Sequence, residues 1–351
     1  MIEEVRVEQR ERWDKLVRSF SDYDVYYLNG YVVAFMEEDE GNGEPILLYY
    51  ENGEERAITV LFRRDVALEK GLDGKVEKGK YFDLITPYGY GGFLGNIVDY
   101  DALNACYRAY CVERGYVCEF TRFGLFTEYH RYYDGFVESR THNVVRSLDL
   151  SLDDMWMDFK QKVRKNVKRA TQNGLEILIE NTDAHLKEFL EIYYGTMERN
   201  DAEQGYYFSE KFYRRLLDMK ENIMFFHVLH EGKVISTELV IYGAEHAYSY
   251  LGGTNREYFE LRPNDFLKWE IIKWAKQKGL KTFVLGGGYG ADDGIFQYKT
   301  CLAPNGIVDF YIGRSIFDIC AYDMLCEKKG VESHSAQAGQ IGFFPEYRAR
   351  A

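Results

Sequence analysis

Residues 223–242 read IMFFHVLHEGKVISTELVIY. Two β-rich runs flank Glu231-Gly232, and glycine supplies the positive φ that a tight turn needs, so the stretch predicts a β-hairpin. The same form appears in residues 46–62, ILLYYENGEERAITVLF, with its turn at Asn52-Gly53. Each hairpin leads into an aromatic strand predicted to end in paired glycines. These are YFDLITPYGYGG, closing on Gly91 and Gly92, and HAYSYLGGTN, with Gly252 and Gly253. A helix is predicted next in each half. Around 99–114, Leu103, Cys106, Tyr107, Tyr110 and Cys111 form one apolar stripe; around 264–278, Leu267, Ile271, Trp274 and Ala275 do so. Gly115 and Gly279 stand where a helix-ending glycine belongs, and each is followed at once by a strand, YVCEFTRF or LKTFVL. Hairpin, strand, helix and strand recurring in one order points to duplication. The expected class is α/β (α+β), with two related halves, each a mixed sheet packed with helices, and a site in a groove that they share.

The 351 residues suffice for about two domains. Residues 1–150 are assigned to the first and 151–317 to the second. The second opens with a long helix over 151–173, carrying Trp156, Phe159, Val163, Val167 and Ala170 on one face, and another helix from about 184 to 200 capped by Asp183 or Thr182. A strand FYIG and a helix SIFDICAYDMLCEKK follow Asp309. The segment 318–351 contains FFPEYR, too apolar for a free end, so it is expected to dock on the first domain.

A net charge of −13 argues against general DNA or RNA binding. No apolar run reaches the ~18 residues of a membrane span. The charged start MIEEVRVEQRERWDKL has no apolar signal region, so a cytoplasmic protein is expected. Six cysteines without a CxxC pair suit reduced, mostly buried thiols. The histidines form no HExxH pair and no GxSxG occurs, so no metal, no cofactor and no covalent intermediate is expected.

Two segments stand out chemically. In KQKVRKNVKR, the cations Lys160, Lys162, Arg164, Lys165, Lys168 and Arg169 occur with no acid among them. Such a strip on an acidic protein suits either a solvated helix face or an anionic ligand such as phosphate or an RNA end. The string LGGGYGADDGIFQYKTCLAP, residues 285–304, has glycines that let backbone approach a ligand, but lacks the GK[ST] ending of a phosphate loop. Asp292 and Asp293 suit turn residues, a base or a metal ligand. Lys299, in an aromatic setting, suits oxyanion or phosphate contact, or a snorkelling surface position.

Taken with TMERNDAEQGYYFSEKFY and LRPNDFLKWEIIKWAKQKGL, these segments resemble the FemAB/FemX-like proteins, two-domain members of the GNAT (N-acyltransferase) superfamily. The resemblance implies two tandem GNAT-like domains. It implies a cytoplasmic transferase passing an aminoacyl group from aminoacyl-tRNA to an amine of a phosphate-bearing peptidoglycan (cell-wall) precursor. Contact with a membrane-linked substrate would be peripheral at most. It places Tyr298 and Lys299 at the acyl-transfer centre, and Tyr250, Arg199, Tyr206, Tyr207, Tyr88 and Tyr90 along the acceptor; Asp293 joins the catalytic candidates on its residue type, as a candidate base. The basic strip would hold the tRNA end or another anion. The first half carries Phe93-Leu94-Gly95 where the family places an acid, and TNREYFELRPN lacks the GNAT pyrophosphate loop. Two alternatives stay open: an acyl-CoA-dependent N-acetyltransferase acting on a small amine or amino sugar, and a non-catalytic binder of anionic glycans or nucleotides.

Overall fold

In a computed structural model, residues 1–288, 293–336 and 342–349 are described. The chain runs β1 (Ile2–Arg6), α1 (Arg10–Val17), α2 (Asn29–Glu38), β2 (Glu44–Asn52), β3 (Glu55–Asp65), β4 (Phe82–Ile85), β5 (Leu94–Asn96), α3 (Tyr100–Glu113) and β6 (Tyr116–Arg122). It continues through β7 (Phe136–Ser147), α4 (Leu152–Asp158), α5 (Gln161–Gln172), β8 (Glu176–Glu180), α6 (Leu186–Arg199), α7 (Glu210–Leu216), β9 (Ile223–His230), β10 (Lys233–Tyr242) and β11 (His246–Thr254). The last elements are α8 (Pro263–Gln277), β12 (Thr282–Gly286), α9 (Gly294–Thr300), β13 (Ile307–Ile316) and α10 (Ile319–Lys329). Two compact units divide the chain: unit 1 takes Met1–Phe20, Tyr26–Arg140 and Phe310–Ala351, and unit 2 takes Ser21–Val25 and Thr141–Asp309.

In unit 1 the strands lie in the order β1-β2-β3-β4-β6-β13, with β5 on β3. Every pairing is antiparallel except β4 with β6, the two strands that flank α3. Unit 2 follows the order β7-β12-β11-β10-β9-β8. Again one pairing is parallel, β11 with β12, and those strands flank α8. An antiparallel hairpin followed by a parallel helical crossover thus occurs in both units, as the duplicated sequence order predicts.

The two hairpin turns differ in detail. In the second, Glu231 (φ 50°) and Gly232 (φ 76°) are both left-handed, as a type I′ turn requires. In the first, Asn52 still pairs with Glu55, so the loop is Gly53-Glu54 and only Gly53 (φ 63°) is left-handed. The paired glycines also differ. Gly252 and Gly253 lie inside β11, whereas β4 stops at Ile85 and Gly91-Gly92 sit in the loop before β5.

The predicted long helix over 151–173 is two helices. Phe159 and Lys160 are extended (ψ 142° and 144°), which ends α4 and starts α5. Arg164 drives this break: its guanidinium donates to the carbonyls of Met157 and Phe159, satisfying backbone groups at the end of α4. The Lys160 amide donates to Cys301 O at 3.0 Å, and Phe159 is 1% exposed in the unit 2 core. Burying a ring of that size is worth about 1.5–3 kcal/mol, enough to hold the break. Helix α6 starts at Leu186, after the predicted cap, and β13 takes Ser315 and Ile316 from the predicted helix.

The described part of the C-terminal segment packs on unit 1, as its apolar residues predict. Tyr347 is fully buried, and its hydroxyl donates to Asp83 at 3.1 Å. Arg348 and Arg64 reach the same carboxylate at 2.6 and 2.7 Å. Burial alone would raise the Asp83 carboxyl; the two guanidinium groups overcome this and hold it below its usual range. Among the described residues no helix is long and apolar enough to cross a membrane, and the six cysteines are free thiols.

Candidate functional site

Unit 2 concentrates its buried polar chemistry around α9. Asp293 caps that helix by accepting from the Phe296 amide at 2.7 Å. One turn later the helix presents Tyr298 and Lys299. The Lys299 ammonium is turned inward and donates to the Gly287 carbonyl at 2.6 Å. Burial pulls its pKa down to about 8, Lys268 adds to the fall, and Glu238 and Asp293 oppose it. The Tyr298 hydroxyl is buried with no hydrogen-bond partner among the described residues. Burial pushes its pKa well up, and Asp265 and Glu238 push it further.

Three residues that sequence reading did not single out complete this cluster. Glu238, 3% exposed, stands on β10 and forms an ion pair with Lys268 of α8, which also donates to Ser249 at 2.7 Å. One oxygen of Glu238 has no partner among the described residues. Asp265, at the start of α8, accepts from Asn166 of α5 at 2.7 Å; burial raises its pKa against the pull of Asn166, Lys162 and Arg262. A buried carboxylate with one open oxygen and a buried phenol with none satisfied are costly in a finished core. Together they form a polar site with hydrogen-bonding capacity to spare. The signal was present in TELVIY, a charged residue inside an otherwise apolar strand.

The basic strip separates into different roles. Arg164 caps α4, and Arg169 lies 3.6 Å from Glu260. Lys160, Lys162, Lys165 and Lys168 are exposed and have no carboxylate partner among the described residues. Beyond them, a groove of about 970 Å³ is lined by α6 and the β9–β10 turn. It includes Arg199, Arg256 and Lys233, with Glu188, Glu191 and Glu198 on the same walls. Arg199 donates to Thr254 O at 3.4 Å and lies over the Phe259 ring, with no carboxylate partner among the described residues. Burial lowers its pKa, and Arg256 adds to the effect.

The remaining predicted residues fall in both units. In unit 2, Tyr250 is half-buried on β11, the Tyr206 carbonyl accepts from Tyr193, and Tyr207 stacks on Tyr194. In unit 1, Tyr88 is 45% exposed with its carbonyl bonded to Tyr31, while Tyr90 packs edge-on to Tyr26 and Phe310. Close to these rings Arg122 ends β6; burial lowers its pKa to about 10, against the pull of Tyr88. Asp292 lies outside the described residues.

Residues 157–300 match the family model of the acetyltransferase (GNAT) domain, a span that falls within unit 2. No curated protein matches the sequence. Among solved structures, FemX superposes with a TM-score of 0.62 at 14% identity, over 90% of this chain and 96% of that one. A protein of unknown function from Bacteroides thetaiotaomicron gives 0.56 at 9% identity, over 89% and 98%. The C-terminal domain of a putative lysylphosphatidylglycerol synthetase from Agrobacterium fabrum gives 0.52 at 12% identity, over 88% and 91%. At these identities the likeness is one of fold. Residues 157–300 are thus similar to the GNAT acetyltransferase domain, and the fold of the chain is similar to that of FemX.

Proposed function

We propose that the protein transfers an aminoacyl group from aminoacyl-tRNA to an amine of a phosphate-bearing acceptor such as a peptidoglycan precursor. The observation that carries this reading is the part-buried Lys299 ammonium, turned inward onto the Gly287 carbonyl, together with the buried Tyr298 hydroxyl, unpartnered among the described residues. The acceptor amine attacks the carbonyl carbon of the donor ester, and negative charge gathers on the carbonyl oxygen. A partly desolvated ammonium and a phenol hydroxyl are suited to stabilise that charge, because each has already lost much of its solvent shell. Collapse of the intermediate expels the ribose hydroxyl. The amine must lose a proton and the departing ribose oxygen must gain one; the Glu238 carboxylate, with its open oxygen, is the base that takes the proton from the amine and returns it to the ribose oxygen. Lys160, Lys162, Lys165 and Lys168 supply the anionic contact that a tRNA end needs. Arg199 and Arg256 do the same for acceptor phosphates in the α6 groove.

A second reading, acyl-CoA as donor, is favoured by the acetyltransferase description of the matching family model. The fold is also that of a protein whose name describes a lysyl-bearing phospholipid product, which favours an aminoacyl donor. The deciding assay offers the full-length protein a panel of amine acceptors with either charged tRNA or acetyl-CoA and measures amide product. Product from charged tRNA, lost on Lys299→Met, is the expected result. Product from acetyl-CoA alone makes the second reading correct. Retained binding of phosphate-bearing glycans with no product from either donor leaves a binding protein.

A further inference from the structure

A separate constellation lies at the other edge of unit 2, where β8, β9 and the start of α6 meet. Glu180 is the last residue of β8, His185 directly precedes α6, and His227 sits in the middle of β9. His185 Nδ1 is 3.0 Å from Glu180 Oε1, and His227 Nε2 is 3.5 Å from the same oxygen. One donor atom from each of the three lies within 4.8 Å of the other two. Around a tetrahedral zinc ion with bonds of about 2.0–2.2 Å, neighbouring donor atoms are about 3.3–3.5 Å apart. Two of the three separations are therefore already close to those of a filled site, and a small rotation of the half-exposed His185 ring adjusts the third.

The surroundings hold the donors in the right orientation. His227 is 1% exposed, and its Nδ1 is 2.8 Å from the Thr237 hydroxyl, so Nε2 is the atom turned to Glu180. An outer hydrogen bond of that kind fixes the ring and tautomer of metal-binding histidines. The Phe225 ring stacks at 6.0 Å and 5° on His227, which restricts the imidazole further. Glu180 accepts from the His185 amide at 3.2 Å and from the Thr182 hydroxyl at 3.1 Å, which anchors the carboxylate at both oxygens. His185 also lines the α6 groove, so one side of the cluster faces open space.

We propose that Glu180, His185 and His227 form a binding site for a divalent transition metal of the zinc class, with a fourth position open toward the α6 groove. Two imidazoles and one carboxylate are donors suited to zinc rather than to calcium or magnesium, which take oxygen ligands. Three protein ligands leave room for water or for one oxygen of an anionic ligand. The local spacing of the sequence hid the site, because His185 and His227 come from different elements and share no short motif. The inference does not depend on the acyl-transfer reading.

The test uses the untagged full-length chain, stripped with a chelator and titrated with cobalt(II) alone, then with zinc(II). One equivalent of cobalt is expected to give the visible d–d bands of a four-coordinate ion, and zinc to displace it. His185→Ala, at a half-exposed position, removes the bands while the thermal midpoint of the stripped protein stays put. Thr237→Val keeps all three ligands and weakens zinc about 10–100-fold. Native chain that shows no bands and binds no zinc overturns the proposal. So does a folded His185→Ala protein that binds cobalt with unchanged bands and affinity, because the metal then sits on other histidines. Should His185→Ala fail to fold, Thr237→Val and Glu180→Gln carry the decision: unchanged zinc affinity in both refutes the site.

Discussion

Unit 1 and unit 2 share a plan, a hairpin followed by a parallel crossover, yet they treat buried charge differently. In unit 1, Asp83 is closed off by Arg64, Arg348 and Tyr347, and Glu119 by the hydroxyls of Tyr107 and Thr121. Burial raises the Glu119 carboxyl in spite of those two bonds. In unit 2, among the described residues, Glu238 keeps one free oxygen, Tyr298 a free hydroxyl, and Lys299 only a backbone carbonyl. The cations differ as well. Unit 1 buries Arg122, which stays charged at any physiological pH even with its pKa lowered to about 10. Unit 2 buries a lysine whose pKa of about 8 lies within reach of ordinary conditions. Open hydrogen-bonding capacity occurs in both copies, at Tyr133 and Glu55 of unit 1 as at Tyr298 and Glu238 of unit 2. What differs is the cation, an arginine in unit 1 and a lysine able to titrate near pH 8 in unit 2, where the match to the family model falls.

The contrast breaks first, and with the largest effect, at Asp83. Asp83→Ala leaves Arg64 without its carboxylate and Arg348 with Glu69 alone, and should cost about 3–5 kcal/mol of stability. Denaturant unfolding measures this, and activity per folded molecule should be unchanged. A loss of activity in a fully folded Asp83→Ala protein would mean that unit 1 does more than support the fold. Asp293 sharpens the unit 2 side. As a helix cap, Asp293→Ala should cost about 1 kcal/mol, while Asp293→Asn keeps the cap and costs almost nothing. A large fall in transfer rate with the Asn variant would give this carboxylate the role of a base that its residue type allows. The smallest effect belongs to the basic strip. Changing Lys162, Lys165 and Lys168 to Gln should leave the melting temperature in place, weaken tRNA binding and reduce its salt slope by roughly 2–3. An unchanged slope would make those lysines a solvated face. Arg164 is left out of this test because it holds the end of α4.

The hairpins, the helices around 99–114 and 264–278 and the glycines that end them were legible because period and turn chemistry are local. The two-helix form of 151–173 was not, because the apolar stripe runs on through the break, and what ends α4 is distant or tertiary: the reach of Arg164 to Met157 and Phe159, the Lys160 amide on Cys301 and the burial of Phe159. Lys299 was legible in the sequence by its aromatic setting, and Lys299 and Tyr298 were legible together through the family resemblance. Their partners were not: Glu238, Lys268 and Asp265 come from β10 and α8 and meet only once the sheet has formed. The same holds for His185 and His227, whose proximity is a product of β8–β9 pairing. A lone charge inside a run such as TELVIY is the kind of local conflict that marks such positions in advance.

The central claim is that Lys299 acts as a buried cation in acyl transfer, and the pH dependence of the rate tests it most directly. With a pKa of about 8, Lys299 is charged below that pH and neutral above it. The transfer rate should therefore fall as pH rises through about 8, and Lys299→Met should lower the plateau by about 10²–10³-fold without unfolding the protein. Lys299→Arg, whose charge persists, should retain part of the rate and lose the fall near pH 8. A folded Lys299→Met protein with full activity, or an identical fall near pH 8 in Lys299→Arg, would contradict the account.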